Sequence, residues 1–360
     1  MTAWNPLPTA PAFPAEGYAP LADRIGGLLG TCDDVLLIQG EAVVALEAVA
    51  TSLGRPGVRA LNIVSSLYGA WFGGWLRRQG ATVTDLHAEP GRPVTAAAVE
   101  AALARGRFDL VALVHAESAS GILNPLPEIA ALARAHGALS VVDAVASVGG
   151  HALAVDALGL DVVVIGPQKS LGGQAGVSAV SVSQIAWATV QPQGEAPSIL
   201  SLADQRALWL QTGRGALPGT PSAIEFYALS ATLARVEDEG IEALIARHAA
   251  AARAARAGIR ALVGEEHVLP PQASNLVTAI PLPQGIERAA VLAALPDGTG
   301  ISPCVGPGTD RLLRLNHTGP RARLEPVLGD LVALAGALRQ TGLSPDAAAA
   351  LDAAARAFQP

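Results

Sequence analysis

The chain has 360 residues, 51% of them hydrophobic and 15% charged, with a net charge of −7 at neutral pH. That length can bury the core of one large and one smaller domain, and the acidic balance argues against a nucleic-acid partner, which needs a basic stripe. The two cysteines, Cys32 and Cys304, lie far apart, which argues against a disulfide framework or zinc site and points to a reducing cytoplasm.

Met1 to Pro20 is proline-rich and lacks an apolar segment behind a basic start; it reads as an extended arm, not a signal peptide. No uninterrupted apolar run of about 18 residues follows, so no membrane span is expected. From residue 35 onward strand-like and helix-like segments alternate. Val35–Ile38 is a predicted strand and Val43–Ser52, containing Glu47, a helix. Arg59–Val64 is a strand, Trp71–Gln79 a helix ended by Gly80, and Ala81–Leu86 a strand. Thr95–Arg105 reads as a helix with Thr95 as N-cap. The strand Leu110–Val114, the helix Pro127–His136 closed by Gly137, and the strands Leu139–Val142, Val162–Ile165 and Ser178–Val182 complete this half.

Leu139–Val142 and Val162–Ile165 show no polar alternation, as expected where helices cover both faces of a parallel sheet. Strand–helix alternation therefore predicts an α/β fold with a doubly wound, mostly parallel sheet. Near residue 240 a smaller α+β region begins. It has a helix over Glu237–Arg260, strands at Leu276–Ile280 and Leu312–Leu315, and helices at Leu324–Arg339 and Ala347–Ala357. The predicted organisation is an arm over 1–20, a large domain over 21–240 and a small domain over 241–360, without internal repeats.

In doubly wound sheets ligands sit beyond the carboxyl ends of the strands. Asp143 ends one such strand, and Lys169 follows another after Gly166-Pro167-Gln168. Pyridoxal chemistry uses this pair: a lysine amine forms a Schiff base and a carboxylate keeps the pyridine nitrogen protonated. Spacing alone equally allows Asp143 to cap a turn and Lys169 to be a solvated loop residue.

The stretches V-V-D-A-V-A-S-V-G-G (141–150) and V-D-A-L-G-L-D-V-V-V-I-G-P-Q-K-S-L-G-G (155–173) resemble the class V aminotransferases of fold type I. The similarity extends from about residue 30 to about 340. It implies a pyridoxal 5′-phosphate enzyme in which Lys169 is the Schiff-base lysine, Asp143 the pyridinium partner and Val145 a contact on one ring face. V-H-A-E-S-A-S-G-I-L-N-P (114–125) is similar to the family segment that places a hydroxyl, here Ser118, near the ring oxygen. S-S-L-Y-G (65–69) is similar to a loop whose aromatic residue, here Tyr68, stacks on the ring. L-L-R-L-N-H-T-G-P (312–320) makes Arg314 the substrate-carboxylate binder, a task suited to a bidentate guanidinium. Gln168 and Ala42 belong to the implied cofactor contacts. Thr220 matches a residue that reaches the neighbouring copy's site in a homodimer.

In I-Q-G-E-A-V-V-A-L-E (38–47), Glu41 stands where the family has a phosphate-facing serine. A carboxylate beside a phosphate dianion is electrostatically poor. Glu41 reads either as a helix cap facing solvent or as an acceptor for an uncharged hydroxymethyl group. The second reading, with G-E-x-V-x-x-L-E, I-G-P-Q-K and G-T-P-S-x-x-E, is similar to the branch of the family that transaminates pyridoxamine with pyruvate. The alternatives are a conventional aminotransferase of the alanine– or serine–glyoxylate type, or a lyase on the same fold. That branch carries a second arginine nine residues ahead of the carboxylate binder. Val305 occupies this position here, and Arg311 is the nearest substitute. His115 and His317 fall in family segments but read as hydrogen-bonded structural residues, and no spacing suggests a metal site.

Overall fold

In a computed structural model, residues 10–192, 194–306 and 308–359 are described. After a 3-10 turn at Ala15–Gly17 come α1 (Tyr18–Leu29), β1 (Asp34–Gln39), α2 (Ala42–Leu53), β2 (Arg59–Val64) and α3 (Leu67–Arg78). Next are β3 (Thr82–His87), α4 (Ala96–Leu103), β4 (Leu110–Val114), α5 (Leu126–Ala135), β5 (Leu139–Asp143) and α6 (Val155–Leu158). β6 (Val162–Ile165), β7 (Val177–Val182), α7 (Gln184–Trp187), α8 (Leu202–Leu208) and α9 (Ala223–Glu239) follow. The remainder is α10 (Ile241–Val263), β8 (Val277–Pro281), α11 (Arg288–Ala294), β9 (Ile301–Pro303), β10 (Leu312–Asn316), α12 (Leu324–Gln340) and α13 (Ala347–Phe358).

The seven strands of the large sheet run in the order β1-β7-β6-β5-β4-β2-β3. Pairings from β3 to β6 are parallel, and β7 runs against both its neighbours, β6 and β1. The apolar runs explain this sheet: every residue of β4, β6 and β7 is buried, as required when both faces are covered. Register places Val114, Asp143 and Val164 side by side, so the loops after β4, β5 and β6 open on one edge. β1 points the same way, because it and β6 both oppose β7. The N-terminus of α2 therefore arrives at that edge too.

The second sheet is antiparallel, β8-β10-β9, with Arg314 opposite Ala279 and Ser302. It shares a hydrophobic core with α10, α12 and α13 that includes Ile259, Ile280, Leu313, Leu331 and Leu338. A separate, larger core runs from Tyr18 to Leu244.

Two expectations are corrected. The segment read as one helix over 237–260 is the end of α9 and most of α10, divided at Gly240 with φ +82°, a conformation open to glycine. α3 begins at Leu67 instead of Trp71, because Ser66 caps it by accepting a hydrogen bond from the Tyr68 amide. Tyr68 is thus helical and not in a loop. The extended arm expected over 1–20 lies partly outside the described residues; of the rest, Tyr18–Pro20 form the first turn of α1. Phe13 packs its ring 5.2 Å from Tyr18, 5.6 Å from Phe226 and 5.0 Å from Tyr227, an apolar anchor that a proline count does not reveal.

Candidate active site

Five chain segments at the shared strand edge and a sixth from the small sheet deliver the site. Glu41 precedes α2 and caps it: Val43 N donates to Glu41 Oε2 at 2.8 Å. Asp143 ends β5, and Val145 N donates to its Oδ1 at 3.0 Å. Lys169 follows β6 by four residues, with Gln168 Nε2 donating to Glu41 Oε1 at 2.6 Å. Gly166 leaves room for the Gln168 side chain, since a Cβ there would lie 2.2 Å from Gln168 Oε1. Tyr68 stands in the first turn of α3, edge-on to Trp71 at 5.7 Å. Ser118 comes from the turn after β4. From the small sheet, Arg314 Nε donates to Ser302 Oγ at 3.0 Å and Nη1 to the Ser118 carbonyl.

Two cavities meet at Lys169 and Ser118, which line both. The inner one, about 240 Å³, is walled by Glu41, Ala42, Tyr68, Trp71, Asp143 and Val145 among others. The outer one, about 500 Å³, carries Arg314, Gln168, Ser302, Asn316, Thr318 and Arg321. Arg321 is already neutralised there, its Nη2 donating to both carboxylate oxygens of the buried Asp330 at 2.7 and 2.8 Å. Inner cavity dimensions suit a substituted pyridine ring, and the outer one a small carboxylic acid.

The electrostatics follow from enclosure. Burial, aided by the charge of Glu41, pushes the Asp143 carboxyl up to about 6, against the Val145 amide and Lys169. Burial and the Arg314 guanidinium hold the Lys169 amine below its ordinary value, while Glu41 and Asp143 pull it back. A lysine depressed in this way can act as nucleophile and proton carrier.

Of the residues expected from sequence, Glu41, Ala42, Tyr68, Ser118, Asp143, Val145 and Lys169 come together in the inner cavity, and Gln168 and Arg314 in the outer one. Glu41 caps α2 and also lines the inner cavity, so it is a cap that does not simply face solvent. Thr220 is exposed and lines neither cavity. Arg311 does not substitute for a second arginine: its Nη2 donates to the Leu282 and Pro283 carbonyls at 2.9 and 2.7 Å. Arg311 lies in the turn just before β10, and these two carbonyls take up its guanidinium. Val305 lines a different cavity, next to Ser65 and Ser66. His317 is buried between Thr278 Oγ1 and the Asn275 carbonyl, and burial takes it down to about 3. His115 is buried and held down to about 4, its backbone N donating to the Asp143 carbonyl.

Sequence reasoning missed Trp71, which lines the inner cavity, and Glu117, which is buried and bonded to Ser65 and Ser66. It also passed over a countable signal: Lys169 is the sole lysine in the chain.

Residues 23–311 match the family model for class-V aminotransferases. The chain is similar to a pyridoxamine–pyruvate transaminase of Mesorhizobium japonicum, 32% identical over 335 residues, covering 90% of this chain and 84% of that enzyme. It is 31% identical to an alanine–glyoxylate aminotransferase of Callithrix jacchus over 82% of this chain and 73% of that one. Among solved structures, the pyridoxamine–pyruvate aminotransferase of Mesorhizobium loti superposes with a TM-score of 0.89 at 31% identity, covering 96% of this chain and 89% of that one.

Proposed function

The chain belongs to the class-V aminotransferases, and on that footing we propose that it moves the amino group of pyridoxamine to a 2-oxo acid, releasing pyridoxal and an amino acid. The observation that carries this reading is Glu41. Enzymes of this family depend on pyridoxal 5′-phosphate, whose phosphate is suited to free amides at a helix N-terminus. Here the Glu41 carboxylate takes the Val43 amide, and Lys169 is the one cationic side chain among the described residues lining the inner cavity. An uncharged hydroxymethyl group fits that end, because it can donate to Glu41, whereas a dianion meets a second negative charge. The similarity to the pyridoxamine–pyruvate transaminase supports the same choice.

When bound, a pyridoxal-type ring supplies an aldehyde for amino exchange and an electron sink for proton shifts. Tyr68 and Val145 hold its faces, and Asp143 holds a proton at the ring nitrogen. Lys169 would hold the ring through its amine and, as a depressed lysine, would move the proton between the two reacting carbons. Arg314 orients the carboxylate of the acceptor acid, with the Ser118 carbonyl and Ser302 fixing its plane. The same reading makes the protein a cytoplasmic homodimer in which Thr220 serves the neighbouring site; its exposure away from this chain's own cavities supports that arrangement. Among the described residues no helix is long and apolar enough to cross a membrane.

The reading is tested by offering the purified protein pyridoxamine or its phosphate, each with pyruvate, and following aldehyde release. Turnover with pyridoxamine supports it. Turnover with the phosphate alone would make the enzyme a conventional family member.

A further inference from the structure

Glu117 takes no part in the chemistry above, yet it is fully buried beside the site. It follows β4 and lies next to the end of β2, the neighbouring strand. Both its oxygens are engaged: Ser65 Oγ donates to Oε1 at 2.7 Å, and Ser66 Oγ donates to Oε2. Neighbouring groups fix these directions. The Tyr68 amide can only donate, and does so to Ser66 Oγ at 3.2 Å, leaving the Ser66 proton for Glu117. Asn124 Nδ2 donates to Ser65 Oγ at 2.7 Å and to the Val114 carbonyl at 2.8 Å, while its Oδ1 accepts from Val94 N at 3.3 Å. The Ser65 proton therefore also points to Glu117. Two incoming protons and none outgoing is the pattern of an ionised carboxylate. Burial pushes Glu117 up to about 7, and the two hydroxyls pull it back.

The backbone of Glu117 is equally fixed. Its N donates to the Ile122 carbonyl at 2.8 Å, and its carbonyl accepts from Gly121 N at 2.9 Å. Gly121 has φ +79°, and a Cβ there would lie 2.8 Å from the Val277 carbonyl, so this turn has one shape. Ser118, the next residue, gives its carbonyl to Arg314 Nη1. One short turn thus faces two ways, its side chain to the cap of the Tyr68 helix and its main chain to the guanidinium.

We propose that Glu117 is a positioning residue that sets Tyr68 and Arg314 together, its carboxylate anchoring the Ser66 cap of α3 and its turn holding the Arg314 guanidinium. The inference rests on Tyr68 as ring contact and Arg314 as carboxylate binder, as argued above. The first measurement needs no ligand: hydrogen exchange of segment 65–72 in the protein as purified. Glu117→Gln and Ser66→Ala should each speed exchange there by about tenfold while α12 is unchanged. The second is pyridoxal affinity, read from its induced circular dichroism. Glu117→Gln should weaken it about tenfold and raise the KM for pyruvate more than it lowers kcat. Tyr68→Ala should then cost less than about threefold more in the Glu117→Gln background, although it costs about tenfold alone. A role in packing alone would lower the melting temperature and leave the two substitutions additive. Additive effects on pyridoxal binding, or unchanged exchange in both single variants, would overturn the proposal. If the parent protein binds neither pyridoxal nor its phosphate, the functional reading fails, and the exchange experiment still decides whether Glu117 positions α3.

Discussion

Gln168 Nε2 donates to Glu41 Oε1 at 2.6 Å, tying the residue beside Lys169 to the cap of α2. The bond joins two parts of the site that arrive on different strands, and it orients the carboxylate on which the proposed preference for an unphosphorylated ring rests.

Replacing Glu41 with Ser removes that carboxylate and leaves a cap that can still accept from the Val43 amide. The affinity ratio of pyridoxal 5′-phosphate to pyridoxal should rise by about tenfold or more, from relief of one like-charge contact. Titration of the purified variant with each form measures it. An unchanged ratio would mean that Glu41 does not meet the 5′ substituent.

Asp143→Asn should abolish transamination yet stabilise the ligand-free protein at alkaline pH. The folded-state value of Asp143, about 6, lies above its ordinary 3.8. Below pH 4 the group is neutral folded or unfolded and the substitution gains nothing. The cost of burying the charge grows from pH 4 to 6 and is complete above that. Melting temperatures of the two proteins should therefore converge at low pH and separate above pH 6; a separation confined to low pH would contradict the assignment.

Arg314→Gln should raise the KM for the 2-oxo acid by roughly 10- to 100-fold, the worth of charge-assisted hydrogen bonds to a carboxylate. Arg314→Lys should rescue little, because an ammonium cannot reproduce a planar guanidinium held by Ser302 and the Ser118 carbonyl. Steady-state kinetics with pyruvate checks both; full activity of the lysine variant would remove the need for the fork.

The sheet was legible because its buried strands are continuous apolar runs, and Asp143 and Lys169 because such strands end at the ligand-binding edge. The matched motifs then brought Glu41, Tyr68, Ser118 and Arg314 into the site. What escaped was directional. Glu117 lay in plain view within H-A-E-S-A-S-G, but only the fold shows that it faces Ser65 and Ser66. Arg311 was a fair substitute by distance along the chain, but the Leu282 and Pro283 carbonyls take up its guanidinium. The Ser66 cap was a readable start signal for α3, passed over because the helical pattern is stronger from Trp71 onward.

The central claim is that Lys169 carries the aldehyde. Since no other lysine exists in the chain, incubation with pyridoxal followed by borohydride reduction and peptide mass mapping gives an unambiguous answer. One pyridoxyl group should appear on the peptide containing Lys169, and Lys169→Ala should lose both the adduct and the yellow absorbance. An unmodified Lys169, or colour that survives its replacement, would contradict the account.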